Sequence, residues 1–103
     1  MNYVSAIFRA LADPTRRQIL QELKNGELAA GEIANRFTIS GPSISRHLTI
    51  LKHAELITER RDGNYILYQL QPDRLANAVG DFLSTVCPTQ ILQRRTTARK
   101  RKS

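Results

Sequence analysis

Apolar positions along the chain follow a helical period, switch to a strand period, and then return to the helical one. Val4, Ile7, Phe8 and Leu11 fall at i, i+3, i+4 and i+7, the spacing of one helical stripe. Pro14 disfavours helical geometry at Asp13, so this first helix stops near Ala12. Asp13 is then placed to cap a second helix, with Pro14 at the first position, where its missing N–H costs nothing. That helix runs to about Lys24, burying Ile19, Leu20 and Leu23, and Gly26 follows as a stop. A short third helix is expected over Ala30–Phe37, with Ile33, Ala34 and Phe37 facing inward. Thr38 and Ile39 make a tight connection to Ser40, which caps a fourth helix, Gly41–Ala54, with Pro42 tolerated in its first turn. In it Ile44, Leu48 and Leu51 stand at i, i+4 and i+7, a buried stripe.

Past Ala54 the period drops to two. Ile57–Arg61 and Tyr65–Leu70 read as strands joined by Asp62-Gly63, a dipeptide suited to a tight turn, with Asn64 available for a bulge. Pro72 and Asp73 open a fifth helix that carries Leu75, Val79, Phe82, Leu83 and Val86 on one face and ends at Pro88. The order α-α-α-α-β-β-α is a mainly α fold with a small β-hairpin, a winged helix-turn-helix. Residues 1–92 are expected to form this one domain, and 93–103 a basic, disordered tail.

A chain of 103 residues suits one small domain with a modest core. No apolar run approaches the ~18 residues needed to cross a bilayer, and no signal peptide is visible at the N-terminus. The single cysteine, Cys87, makes no internal disulfide, and the expected compartment is the cytoplasm. Sixteen Lys and Arg against nine Asp and Glu give +7, which suits a polyanionic partner. Six of those cations are Arg94, Arg95, Arg99, Lys100, Arg101 and Lys102; residues 1–93 hold ten basic and nine acidic residues, a net of +1. The bulk charge therefore describes the tail more than the folded body.

The candidate chemistry lies on the fourth helix. Leu48 and Leu51 fall within about 40 degrees of Ile44 on a helical wheel. Pro42, Arg46, Thr49 and His53 take the opposite side, with Ser43 and Ser45 on the flanks. Small side chains at the N-terminal end let a helix sink into a groove ~12 Å wide. Ser43 and Ser45 can bond bases or phosphates, and Arg46 can fork onto guanine O6 and N7. A solvated polar face is the ordinary alternative; the preceding helix, tight turn and following hairpin favour DNA. His47 lies about 60 degrees from the stripe centre, so packing and DNA contact are equally open. Arg60, Arg61, Asn64 and Tyr65 surround the hairpin turn, where arginines bind phosphates or a narrow minor groove, or simply keep an exposed edge soluble.

Metal chemistry is not expected. His47 and His53 are six apart and fall on different helix faces, and no CxxC, HExxH or dense His/Asp/Glu cluster occurs. Cys87 reads as a small packing residue, with a redox-sensing thiol as the alternative. No glycine-rich phosphate loop, nucleophile motif or paired acid and base points to an enzyme or a cofactor.

Leu11-Ala-Asp-Pro-Thr-Arg-Arg-Gln-Ile-Leu20 resembles the opening signature of the ArsR/SmtB family of bacterial repressors. Pro42-Ser-Ile-Ser-Arg-His-Leu-Thr-Ile-Leu-Lys52, followed by Ala54-Glu-Leu-Ile57, resembles that family's recognition helix and exit. Ala30–Ile33 and Pro42–Ser45 resemble its autorepressor branch, the SdpR-like proteins. The resemblance spans about Val4 to Val86 and implies a homodimer built from the first and last helices. Val4, Ile7, Phe8, Leu11, Val79, Phe82, Leu83 and Val86 are the candidate interface. It also implies an operator of two-fold symmetry, with half-sites about one helical turn apart. Family DNA contacts match Gly41, Pro42, Ser45 and Arg46, although many members carry a longer polar residue where Gly41 stands. Metal-sensing members have a cysteine pair where this chain has Leu28–Ile33, and others use His and Asp on the last helix, where Leu75–Cys87 holds no His.

The expected function is therefore a sequence-specific, autoregulatory repressor that binds double-stranded operator DNA as a homodimer. A small-molecule inducer or a regulatory partner protein remains open, and no membrane insertion is expected. The alternatives are a basic protein binding nucleic acid without sequence preference and a winged-helix module that docks a protein.

Overall fold

The computed structural model describes residues 3–88, 90 and 91, so the expectation for the tail lies outside the described residues. Helix α1, Tyr3–Leu11, ends without a glycine. Two arginines from the next helix serve its last carbonyls instead: Arg16 reaches Arg9 O and Ala10 O, and Arg17 reaches Leu11 O. Helix α2, Pro14–Glu22, starts as expected, with Asp13 Oδ1 accepting from the amides of Thr15 at 2.8 Å and Arg16 at 3.2 Å. A 3-10 turn, Leu23–Asn25, replaces its expected last residues, and Gly26 at φ 142° turns the chain away.

Two differences from expectation follow. Helix α3 spans only Ala30–Ala34. After it the bonds tighten from i−4 to i−3, with Arg36 N on Ile33 O and Phe37 N on Ala34 O, so Phe37 reaches the core from a turn rather than from a helix. Before it, Leu28–Ala29 form an unforeseen strand, β1, too short to show a period.

Helix α4, Gly41–His53, is capped by Ser40, whose Oγ accepts from Ser43 N at 3.2 Å. It closes with Glu55 at φ 61°, Glu55 N on Lys52 O and Leu56 N on Leu51 O, a Schellman ending with Glu55 in the place glycine usually takes. Leu51 and Leu56 are both fully buried under this turn.

Strands β2, Ile57–Asp62, and β3, Tyr65–Leu70, pair antiparallel from Ile57↔Leu70 to Asp62↔Tyr65. The turn is thus Gly63-Asn64 rather than Asp62-Gly63, and Asn64 makes no bulge. Gly63 alone takes a positive φ, 62°, the sign pattern of a II′ turn. β1 adds to the free edge of β3 through Leu28↔Tyr68 and Ala29↔Leu67, giving a three-stranded sheet of order β1-β3-β2.

Helix α5, Pro72–Val86, follows β3. The core joins Ile7 and Ala10 of α1, Ile19 and Leu20 of α2, Leu23, Ile33, the Ile44–Leu48–Leu51 stripe, Ala54, Leu56, Ile57 and Ala78. Burying that stripe holds α4 against α1 and α2. Among the described residues, α5 gives the core only Ala78 and the partly buried Leu75, while Phe82, Leu83 and Val86 on its apolar face lie outward. No helix among the described residues is long and apolar enough to cross a membrane.

Candidate nucleic-acid interface

With its apolar stripe inside, α4 presents Gly41, Pro42, Ser43, Ser45, Arg46, Thr49 and His53 to solvent. The Ser43 hydroxyl accepts from Ser40 Oγ at 3.1 Å, which leaves its own proton free to donate. A Cβ placed on Gly41 would meet nothing within 4 Å, so no close contact demands glycine there. Arg46 has no hydrogen-bond or ion-pair partner among the described residues. Ser43, Ser45 and Arg46 stand on the first two turns of a capped helix, where free N–H groups and the dipole favour an anion.

His47, left between packing and DNA contact by the sequence, is half-buried and partnered. Arg16 Nη1 lies 3.2 Å from its Nδ1. Burial pushes the Asp13 carboxyl up, but the amides of Arg16 and Thr15 and the nearby positive charge of Arg16 outweigh it and hold the group below its usual range. Arg16 gave no signal in the sequence, because its role rests on a contact with a residue 31 positions away.

The hairpin places its basic residues differently from each other. Arg60 does not stand free at the wing tip. It points across the sheet and forks onto Glu27, Nε to Oε2 at 2.8 Å and Nη2 to Oε1 at 2.9 Å. Arg60 pairs with Leu67 in the register and Leu67 with Ala29, so one row of the sheet brings the guanidinium toward Glu27. The hydrogen bond from Arg60 lowers the Glu27 pKa, and Glu27 in turn raises that of Arg60. Arg61, Asn64 and Tyr65 are exposed, and Arg61 has no partner among the described residues. Glu27 was missed because β1, which places it beside the sheet, left no pattern to read.

The candidate interface residues also divide. Val4, Phe82, Leu83 and Val86 are exposed at 39, 50, 37 and 59%, a large apolar surface on α1 and α5. Phe8 meets Phe82 edge-to-face at 5.4 Å, joining the two helices within the chain. Val79 is half-buried, and Leu11 packs against the core. Ile7 is 0% exposed and has no surface to offer a partner, which corrects its assignment to the interface. It lies in the core cluster, which also includes Ala78 of α5. The described residues contain no group of three or more His, Cys, Asp or Glu arranged to hold a metal ion.

A short helix, a tight turn, a second helix with an outward polar face, and a hairpin beside it define a winged helix-turn-helix protein. The helix-turn-helix domain family HTH_20 matches residues 11–60. The transcriptional repressor SdpR of Bacillus subtilis is 48% identical over 80 residues, 78% of this chain and 89% of that protein. Among solved structures, the ArsR family transcriptional regulator RHA00566 superimposes with TM-score 0.75 at 29% identity, covering 89% of this chain and 91% of its own. The homodimeric winged helix-turn-helix DNA-binding domain of Mb0332 from Mycobacterium bovis gives TM-score 0.68 at 28% identity, over 81% of this chain and 78% of that one. The chain belongs to the ArsR/SmtB family of winged helix-turn-helix transcriptional repressors.

Proposed function

We propose that two copies of this chain pair through α1 and α5 and occupy an inverted-repeat operator, excluding the transcription machinery from the promoter of their own operon. The observation that carries this reading is Arg46, exposed and unpartnered among the described residues, beside Ser43 and Ser45 on the face opposite a fully buried stripe. Ser43, Ser45 and Arg46 read base edges, with Gly41, Pro42 and Thr49 against the groove wall. Arg61, Asn64 and Tyr65 contact the backbone from the wing. The exposed Val4, Phe82, Leu83 and Val86 meet the same residues of the second copy. The protein acts in the cytoplasm, and the reading assigns it no catalytic step, metal or cofactor.

Selection of bound sequences from random duplex DNA at physiological salt tests the proposal. It predicts an enriched inverted repeat with half-sites about one helical turn apart. No enrichment would sink sequence-specific repression. Enrichment that disappears when residues 94–103 are removed would move recognition from the folded body to the tail.

A further inference from the structure

One guanidinium joins three helices. From α2, Arg16 donates Nε to Ala10 O at 2.8 Å and Nη2 to Arg9 O at 3.2 Å, holding the last turn of α1. Its remaining arm, Nη1, meets Nδ1 of His47 on α4 at 3.2 Å. A guanidinium accepts no hydrogen bond, so a bond at this contact requires Nδ1 to offer its lone pair and the ring to carry its proton on Nε2. The contact therefore specifies one tautomer, one ring orientation and one position of α4 relative to the end of α1.

We propose that Arg16 and His47 form a positioning pair, in which His47 serves the reading helix through Nδ1 and Arg16 rather than by touching DNA. Arg16 anchors the pair on backbone carbonyls of α1, the helix whose Phe8 packs on Phe82 of α5. The angle at which Ser43, Ser45 and Arg46 enter the groove is then set from behind the helix. An error of about 1 Å there weakens base contacts more than phosphate contacts, which tolerate looser geometry. Lysine at position 16 would not do the same work, since one ammonium lacks the planar fork that spans two carbonyls and a ring nitrogen.

The inference rests on the DNA-reading proposal, and its test separates the two. Asparagine places a carbonyl oxygen near the position of Nδ1, whereas glutamine places its amide nearer that of Nε2. The measured quantity is the affinity ratio of selected operator to random duplex for wild type, His47→Asn, His47→Gln and Arg16→Lys. His47→Asn should stay within about twofold of wild type, while His47→Gln and Arg16→Lys lose about tenfold, the scale of one charge-assisted hydrogen bond. Retention by glutamine with loss by asparagine would make His47 a DNA contact through Nε2 and overturn the proposal. Equal behaviour of the two variants would overturn it as well. Nitrogen NMR of the free wild-type protein needs no variant to fold: it should show the ring proton on Nε2, and a proton on Nδ1 would refute the pair. If wild type itself showed no operator preference, the DNA-reading proposal would fail, while the NMR result would still decide whether the pair exists.

Discussion

Helix α4 and the hairpin both carry cations to solvent, but Arg46 on the one and Arg60 on the other are held in opposite ways. Arg46 on α4 has no partner among the described residues, and a stripe of Ile44, Leu48 and Leu51 fixes the backbone beneath it. On β2, Arg60 is locked onto Glu27, while Glu59 takes Lys52 at 3.2 Å. A free guanidinium on a rigid helix can meet a base with little to give up. A paired one must first exchange a carboxylate for a phosphate, and surface pairs of this kind contribute little to stability. Helix and hairpin each carry two Lys or Arg side chains, and each leaves one, Arg46 and Arg61, without a partner among the described residues, so the contrast lies between Arg46 and Arg60 rather than in any count.

The comparison breaks first at its foundation. Leu51→Ala removes a fully buried side chain beneath α4 and should cost about 2–5 kcal/mol, read as a lower midpoint in denaturant. Thr58→Ala, on the exposed face of β2, loses a β-branched side chain and the hydrogen bond that Thr58 Oγ1 accepts from Gln71, and should cost about 1 kcal/mol. Similar losses at both sites would mean that α4 is no more firmly seated than the hairpin.

Next in size is the free cation itself. Arg46→Ala should weaken operator binding by about 1–3 kcal/mol and relax preference at one base position. Repeating the selection with the variant checks both. Equal weakening on every sequence would turn Arg46 into a phosphate contact and reduce the helix to a second wing.

These contrasts were unevenly legible in the sequence. Both helix caps, Asp13 and Ser40, and the buried stripe of α4 could be read directly, because capping and helical periodicity act within a few residues. The outward faces of α4 and α5 followed from the same stripes. β1 was illegible, since two residues hold no period and pair only because β3 passes beside them. The turn was misplaced by one residue because Asp62-Gly63 and Gly63-Asn64 are both good turn dipeptides, and only the register from Ile57↔Leu70 decides between them. Ile7 was assigned to the interface because a stripe shows which side is apolar without showing whether a core or a partner covers it. The pairings of Arg60 with Glu27 and Arg16 with His47 join residues 33 and 31 apart, beyond the reach of local patterning.

A smaller effect concerns the support behind α4. Asp13→Ala should cost about 0.5–2 kcal/mol of stability at neutral pH by removing the cap of α2. The folded protein holds the Asp13 pKa below its usual value, so the cap's ionic contribution is complete above the ordinary carboxylate range. It is withdrawn as the pH falls into and through that range, where the unfolded chain takes up the proton first. Asp13→Asn keeps a capping side chain but cannot titrate, so melts against pH should show a shallower acid decline than wild type. An unchanged slope would assign the acid sensitivity to other carboxylates, Glu22 with Arg36 foremost.

The smallest effect sharpens the comparison most directly, because it makes one arginine behave like another. Glu27→Gln removes the carboxylate that occupies Arg60 while leaving the guanidinium in the same row of the sheet. If pairing is what separates the hairpin from α4, the variant should bind operator and random duplex more tightly by the same modest factor. The slope of log affinity against log salt should steepen by about one, the signature of one added phosphate contact. Arg61→Ala should lower the same slope by about one, since Arg61 starts unpaired, and Arg60→Ala should leave it nearly unchanged in the wild-type background. In the Glu27→Gln background, however, Arg60→Ala should undo the gain. If Arg60→Ala alone lowers the slope as much as Arg61→Ala, the phosphate already displaces Glu27 in the wild-type complex. The two cations would then be equivalent, and the order in which helix and hairpin contribute would rest on position rather than on pairing.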